Sequence, residues 1–498
     1  VIAGSNEKNL RELKELVYDK GRALGTSENL LRYFWEVQLG AQLGYSFSSS
    51  HVLAYTLIAM LQLNLNTKYN PLYWLVAVLN ANAGSIEVDE EAKKQDNDYG
   101  KVAKAVGDLT QQGIRVAPPL INTADYSFTP DIKNNQIIYS LKAIRGVNEQ
   151  VTNVILEKRP FDSFEDFIER AVESTDVIKP TNVVQLIKAG VFSEFGNTRE
   201  IMAKYIMSLI SPKDKLNGQN LNRCINMGLF TEEWKDYVEI FNLRTTVNKQ
   251  VHKKVTKPND TLLRVKSEQI NVLTNHLGSG IIVEYEGQDT IISKKELDKE
   301  YKIFIEPLIE HMNTEGFLKK YNQALFVEEW VQRTKGGTVE KWAMDSLTYY
   351  PDKHELDSVV EARYNISNFF ELDENPEPLG YSKWNGREFP YYQIGTIMGT
   401  VIDKNNTKHT VTLLTKEGVV ICKLYAGLYA HYNKTIKSNG VTVEDSWFKR
   451  GNLLLVNGYR RGEQWVVKKS KQQEHSISLI TEVQEGGVLS LQNERVNL

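Results

Sequence analysis

Leu141-Lys142-Ala143-Ile144-Arg145-Gly146-Val147-Asn148-Glu149-Gln150 is the stretch whose reading decides how this chain folds. It precedes a helix expected over Val151 to Lys158. Apolar residues at Ile144, Val147, Val151, Val154 and Ile155 share one face and predict its burial. Gly146 permits a tight turn with positive φ. Such a turn aims backbone N–H groups outward at the start of the next helix. Those donors, together with the helix dipole, suit a phosphate oxygen. Lys142, Arg145, Lys158 and Arg159 are placed to supply charge nearby. A plain structural αα-hairpin is the competing reading of the same residues.

A second segment follows. Leu186-Ile187-Lys188-Ala189-Gly190-Val191-Phe192 leads through Gly196 to Arg199, which makes Lys188, Gly190 and Arg199 further candidate contacts. The two together resemble a tandem helix-hairpin-helix motif, whose core reads hydrophobic-x-Gly-hydrophobic-Gly. The second glycine of the first hairpin is here Asn148, a residue that tolerates a left-handed backbone better than most.

Working outward, 498 residues exceed one core and predict roughly three to four domains of a multidomain α+β chain. Residues 1–112 carry helical spacing, as in Leu10, Leu13, Leu16 and Val17. The apolar stretch Val52 to Leu65 is broken by polar residues and reads as a buried helix rather than a membrane span. Residues 113–210 form the hairpin region, opened by short strands near Gly113 to Val116 and Gln136 to Leu141. Residues 211–390 are a mixed connecting region with helices at Thr231 to Leu243, Lys294 to Met312 and Thr314 to Arg333. A small β element is expected at Gly280 to Ser293.

From residue 391 the pattern changes to alternation. Gln393 to Asp403, His409 to Thr415, Val419 to Leu424, Asn452 to Tyr459 and Gln464 to Lys468 read as five strands. A helix at Gly427 to Tyr432 precedes the fourth strand, which is the element order of an OB-type barrel. Such barrels hold single strands by stacking bases on aromatic rings over a basic groove. The expected exposed set is Lys423, Tyr429, His431, Tyr432, Lys434, Arg460 and Arg461, with about half of the barrel's aromatics filling its core.

Charge supports that placement. The chain has a net charge of −3, yet from Tyr391 to Ser470 twelve Lys and Arg face five Asp and Glu. A basic module in a neutral chain fits a polyanion. Two distant cysteines, Cys224 and Cys422, exclude a zinc cluster or a disulfide framework and point to a reducing, cytoplasmic setting without membrane contact. The sequence has no Gly-x-x-x-x-Gly-Lys loop, which argues against an ATPase. Its sole Asp-x-Asp, Asp96-Asn97-Asp98, lies in an acidic polar stretch and reads as a solvated loop.

Several phrases in order resemble the family C replicative DNA polymerases, the α subunit of bacterial DNA polymerase III. They are Gly44-Tyr45-Ser46-Phe47-Ser48-Ser49-Ser50-His51 with Ala54-Tyr55; Gly113-Ile114-Arg115-Val116 with Pro118-Pro119 and Ile121-Asn122; Ile144-Arg145-Gly146-Val147 with Arg159-Pro160-Phe161; and Leu186 to Phe192. The match spans about residues 20–205, with the flavour of a phage-type version. The resemblance implies a fingers portion over residues 1–112, a duplex-binding hairpin region, and an OB domain for single strands. It implies template-directed nucleotidyl transfer by Asp residues holding Mg2+ in a palm that this sequence lacks. The family's nucleotide-facing lysine falls on Ser49, which leaves Lys20, Arg22, Arg32, Ser49 and His51 as nucleotide-binding candidates. The expected partners are double- and single-stranded DNA, a palm-bearing polymerase part, and a sliding clamp. Gln323-Ala324-Leu325-Phe326 is similar to a clamp-binding peptide, although its apparent helix favours core packing. Two rivals remain open: a non-catalytic replication accessory protein built from polymerase domains, and a nuclease or repair factor, for which no carboxylate cluster speaks.

Overall fold

The computed structural model describes residues 7–39, 49–83, 99–257, 260–384, 387–469 and 475–496. They divide into two units, residues 1–78 with 130–136, and residues 79–129 with 137–498. The first unit is helical, as its spacing predicts: α1 (Glu7–Ala23), α2 (Glu28–Tyr33), α3 (Ser49–Lys68) and the start of α4 (Leu72–Asn82). The expectation of burial for α3 is corrected. Val52, Leu53, Leu57, Ile58, Met60, Leu61 and Leu63 are each 50% or more exposed. A helix apolar on all sides normally sits inside a larger core. No described helix is long and apolar enough to cross a membrane.

In the second unit, α5 (Tyr99–Gln111) leads into the hairpin core, built from α6 (Glu149–Lys158), α7 (Pro180–Lys188) and α8 (Thr198–Leu209). Ile144, Val147, Val151 and Ile155 are all buried, as their shared face requires. Phe164 packs edge-on against Phe192 with ring centroids 5.0 Å apart, closing the core between the two hairpins.

The chain then leaves this core for an α/β module. Its helices are α9 (Lys235–Val247), α10 (Ser267–Leu277), α11 (Lys294–Met312) and α12 (Glu315–Thr334). Its strands β1 (Val251–Lys257), β2 (Asp260–Lys266), β3 (Ile282–Glu286) and β4 (Asp289–Ser293) form an antiparallel sheet in the order β1-β2-β4-β3. The β3–β4 hairpin matches the expected β element. The β1–β2 hairpin was not foreseen, because Lys and Thr dilute its alternation.

Residues 211–390 extend beyond this module. The chain re-enters the hairpin core at the end of α12, where Thr334 O accepts from Lys188 Nζ at 2.8 Å. Next comes α13 (Val339–Leu347), whose Trp342 is fully buried. Tyr139 donates its hydroxyl to Leu347 O at 2.8 Å and stacks on Tyr349 at 5.3 Å. Leu356 and Val359 already pack against barrel residues Leu453, Leu455 and Ile480.

The barrel follows the expected order: β5 (Gly395–Asn405), β6 (Thr410–Leu414), β7 (Val419–Lys423), α14 (Ala426–Asn433), β8 (Leu453–Arg461) and β9 (Gln464–Val467). The sheet runs β5-β6-β7-β9-β8, and β8 pairs back with β5 to close it. Inward residues Val411, Leu413, Val420, Cys422, Val456 and Trp465 fill it. Two further strands, β10 (Ile477–Gln484) and β11 (Val488–Gln492), extend the sheet beyond the five that the alternation announces.

Candidate nucleic-acid interface

The first hairpin turn is exposed at Arg145, Gly146 and Asn148, while its flanks Ile144 and Val147 are buried. Gly146 takes φ +81, and a Cβ there would sit 3.3 Å from Gln185 Cγ of α7, so glycine meets both conditions. The turn is clamped from two sides. Asn182 Nδ2 of α7 donates to Gly146 O at 3.0 Å, and Arg145 N donates to Ser346 O of α13 at 2.9 Å.

Asn148 corrects one expectation. It is not left-handed but extended, with φ −97 and ψ 174, and its side chain accepts from Val151 N at 2.9 Å. It replaces the motif's glycine by acting as the N-cap of α6. The helix then opens with exposed Glu149 and Gln150, and the first amides of a helix have no intrahelical acceptor. Arg145 N, Val147 N and Val151 N are already bonded, to Ser346 O, Ile144 O and Asn148 Oδ1, so the arrangement offers the first two amides of α6 and the Arg145 guanidinium, beside Glu149.

The other hairpin candidates divide. Lys142 is half-buried, with Nζ 3.0 Å from Tyr126 Oη and over its ring at 5.1 Å. Lys158 is half-buried at the far end of α6. Arg159 donates to Ala124 O at 2.6 Å and holds the fold together rather than facing a ligand. Lys188 is buried, and burial pushes its ammonium pKa down, which removes it from any surface contact. Gly190, with φ +71, ends α7. Arg199 is exposed, lying over the Trp330 ring at 5.5 Å.

On the barrel, several expected contacts are interior. Tyr429 and Tyr432 lie three apart on α14, so both face the core, where they pack against Phe448 and Trp447. Arg460 is buried as well. Its guanidinium donates to Phe369 O, Leu372 O and Gly462 O and pairs with Glu374 at 2.8 Å. Lys423 Nζ donates to Lys408 O. His431, Lys434 and Arg461 are exposed.

Residues outside the expected exposed set stand elsewhere on the surface. Tyr425 is 60% exposed, with Lys468 Nζ over its ring at 4.4 Å. Tyr459 stacks on Tyr392 with centroids 4.4 Å apart. Strand parity was the available signal: Tyr459 alternates with the inward Gly458 and Arg460.

In the first unit, Arg22 is engaged by Glu28 and by Asp19, the latter at 3.3 Å. Lys20, Arg32 and His51 are exposed, and Ser49 starts α3. The segment from Gly44 to Ser48 and the Asp96-Asn97-Asp98 triplet lie outside the described residues.

Comparison with known proteins agrees with this architecture. Residues 113–202 match the helix-hairpin-helix motif family. Over the whole chain the sequence is 39% identical to "Probable DNA polymerase YorL" of Bacillus subtilis (strain 168) and, equally, to the "DNA-directed DNA polymerase" of Bacillus phage SPbeta. The chain spans 39% of the length of each of these relatives. It is 30% identical to the "DNA polymerase III subunit alpha" of Thermus aquaticus over 169 residues, which cover 33% of this chain and 12% of that protein. With the hairpin core, the closed barrel and the order of shared phrases all in agreement, the chain belongs to the family C DNA polymerases, in their phage-type form.

Proposed function

We propose that this chain grips the backbone of a primer–template duplex at the Arg145–Asn148 turn, within a replicative polymerase that copies the template. The observation that carries the reading is the clamped turn. Gly146 in left-handed geometry is fixed by Asn182 and, through Arg145 N, by Ser346. The first two amides of α6, held in place beside the clamped turn, suit a phosphate without reorganising, and Arg145 adds charge. Such contacts position a duplex without reading its sequence.

Nucleotidyl transfer is assigned to carboxylates outside this sequence. Among the described residues no group of three or more His, Cys, Asp or Glu is placed to hold a metal ion. No catalytic step is given to the described residues in this reading. A palm-bearing partner part follows from this reading. The clamp peptide does not: Gln323 to Phe326 lies inside α12, with Leu325 buried in the module core, so it is not extended.

The test is fluorescence anisotropy with a labelled primer–template duplex at several salt concentrations. Arg145→Ala is expected to weaken binding and lower the salt slope by about 0.9. Equal affinity and slope in Arg145→Ala and the parent chain would remove the turn from the interface.

A further inference from the structure

A groove of about 790 Å3 opens on the α/β module between α9 and α10. One wall is a single face of α9, on which Lys235, Val238, Glu239, Asn242, Leu243 and Thr246 recur at three- and four-residue spacing. From Lys235 to Thr246 that face runs about 16 Å, or about three turns. The other wall is the start of α10, with Glu268, Gln269 and Val272. The segment from Ile225 to Glu232 contributes the rest.

The floor of the groove is apolar and its rim is acidic. Ile225, Phe230, Leu243 and Val272 are half-buried and pack against the module core, so the floor is continuous with that core. Glu232, Glu239 and Glu268 are exposed at the rim, against one cation, Lys235. Lys235 Nζ lies 3.8 Å from the Glu232 carboxylate one turn away, so that pair answers itself. Glu239 and Glu268 have no ion-pair partner among the described residues. Gln269 adds an amide whose buried Oε1 has no donor among the described residues. A buried acceptor left unanswered is uncommon, and turning the terminal amide outward would offer it to a donor in the groove.

We infer that this groove takes a basic amphipathic helix of a partner protein, with apolar side chains on the floor and Lys or Arg over Glu239 and Glu268. A helix laid in a groove anchors through residues at i, i+3, i+4 and i+7, and a face three turns long along α9 matches that span. Three carboxylates against one ammonium repel phosphates, which sets nucleic acid aside. They draw in a partner of opposite sign and favour its encounter. A small molecule is set aside by shape, because sites for such ligands enclose most of the ligand surface. This groove is open along a rim of exposed residues. The inference does not depend on the duplex grip at Arg145. It gives a role to a module that carries none of the residues proposed to meet DNA.

The test uses the full chain and two fluorescein-labelled peptides of about four helical turns. One is built of leucine and lysine and the other of leucine and glutamate, with the leucines of both at i, i+3, i+4 and i+7. Anisotropy should show binding of the lysine peptide and binding of the glutamate peptide weaker by about fivefold or more. Glu239→Lys with Glu268→Lys should reverse that preference, because the floor is kept and the rim inverted. Asn242→Trp, at an exposed position on the groove face of α9, should fill the groove and weaken the lysine peptide by about fivefold or more. It should leave duplex affinity unchanged, and Arg145→Ala should leave peptide binding unchanged, so the two readings fail separately. A photo-crosslinker on the apolar face of the lysine peptide should label residues 225–272 of the unmodified chain, which needs no variant to fold. An unreversed preference in the charge-inverted chain, or labels confined to other residues, would overturn the inference. Self-association of the parent that Asn242→Trp abolishes, with neither peptide bound, would overturn it too and give the groove to a second copy.

Discussion

The backbone amide of Arg145 donates to the carbonyl of Ser346 at 2.9 Å, across 201 positions of sequence. The turn proposed to meet DNA is thus completed by residues that follow the α/β module in sequence. Its shape depends on that return. Gly146→Ala places a Cβ at φ +81 and 3.3 Å from Gln185 Cγ. It is expected to destabilise the chain by about 1–2 kcal/mol and to weaken duplex binding with it. Urea unfolding beside anisotropy measures both, and a variant as stable as its parent would refute the strained turn.

Asn148 separates capping from contact. Asn148→Ala removes the acceptor for Val151 N and should cost about 1 kcal/mol. Asn148→Asp keeps an acceptor in place, so stability should hold. It also puts a negative charge beside the proposed phosphate position, so duplex affinity should fall. Equal duplex affinity in the Asp variant and the parent would show that no phosphate approaches this cap.

Adjacent arginines should behave in opposite ways. Arg460→Ala strips donors from Phe369 O, Leu372 O and Gly462 O inside the fold, with an expected loss of about 2–4 kcal/mol. Arg461→Ala, on an exposed side chain, should stay within about 0.5 kcal/mol. Thermal unfolding of the two single variants decides this, and a double variant would confuse loss of fold with loss of ligand contact.

The junction between hairpin core and barrel should respond to pH on two sides. His354 faces Leu414 O with Nε2 and accepts from Leu356 N at Nδ1, which fits only the neutral ring, and burial pushes its pKa down to about 4. A depressed pKa contributes stability above about 6.5 that is lost as pH falls through about 4. Glu355 has the opposite sign. Burial raises it to about 7, with Lys341 opposing and Asp345 and Glu340 adding, and its Oε1 has no hydrogen-bond partner among the described residues. Its contribution is complete below about 4.5 and lost as pH rises through about 7. Glu355→Gln should therefore flatten the alkaline limb of a melting-temperature profile and exceed the parent at pH 8, by up to about 3 kcal/mol. An unaltered slope between pH 6 and 8 would contradict this.

Much of the fold was legible because it rests on local patterns. Ile144, Val147, Val151 and Ile155 announce the buried face of the hairpin by spacing alone, and alternation announces the five barrel strands and their order. Tyr429 and Tyr432 were misplaced although their three-residue spacing on one helix says that they share a fate, and the barrel needed a plug. Lys188 carried no such signal. Its acceptor, Thr334 O, arrives only after the chain has built a separate module and returned. The stacked pair at Tyr459 was half-legible, since parity places it outside but only the closed barrel brings Tyr392 over it.

The helix α12 joins the two cores without a break. Phe317, Tyr321 and Leu325 are set in the module, while Trp330 rests on Trp342 and Thr334 meets Lys188 in the hairpin core. Its 20 residues make a rod of about 30 Å. A rod anchored at both ends cannot let the module swivel freely. Force applied to the far module is delivered as torque to a fulcrum one helix away from the turn at Gly146. Anything that pulls on the module therefore bears on the turn proposed to grip the duplex, as a handle bears on a jaw.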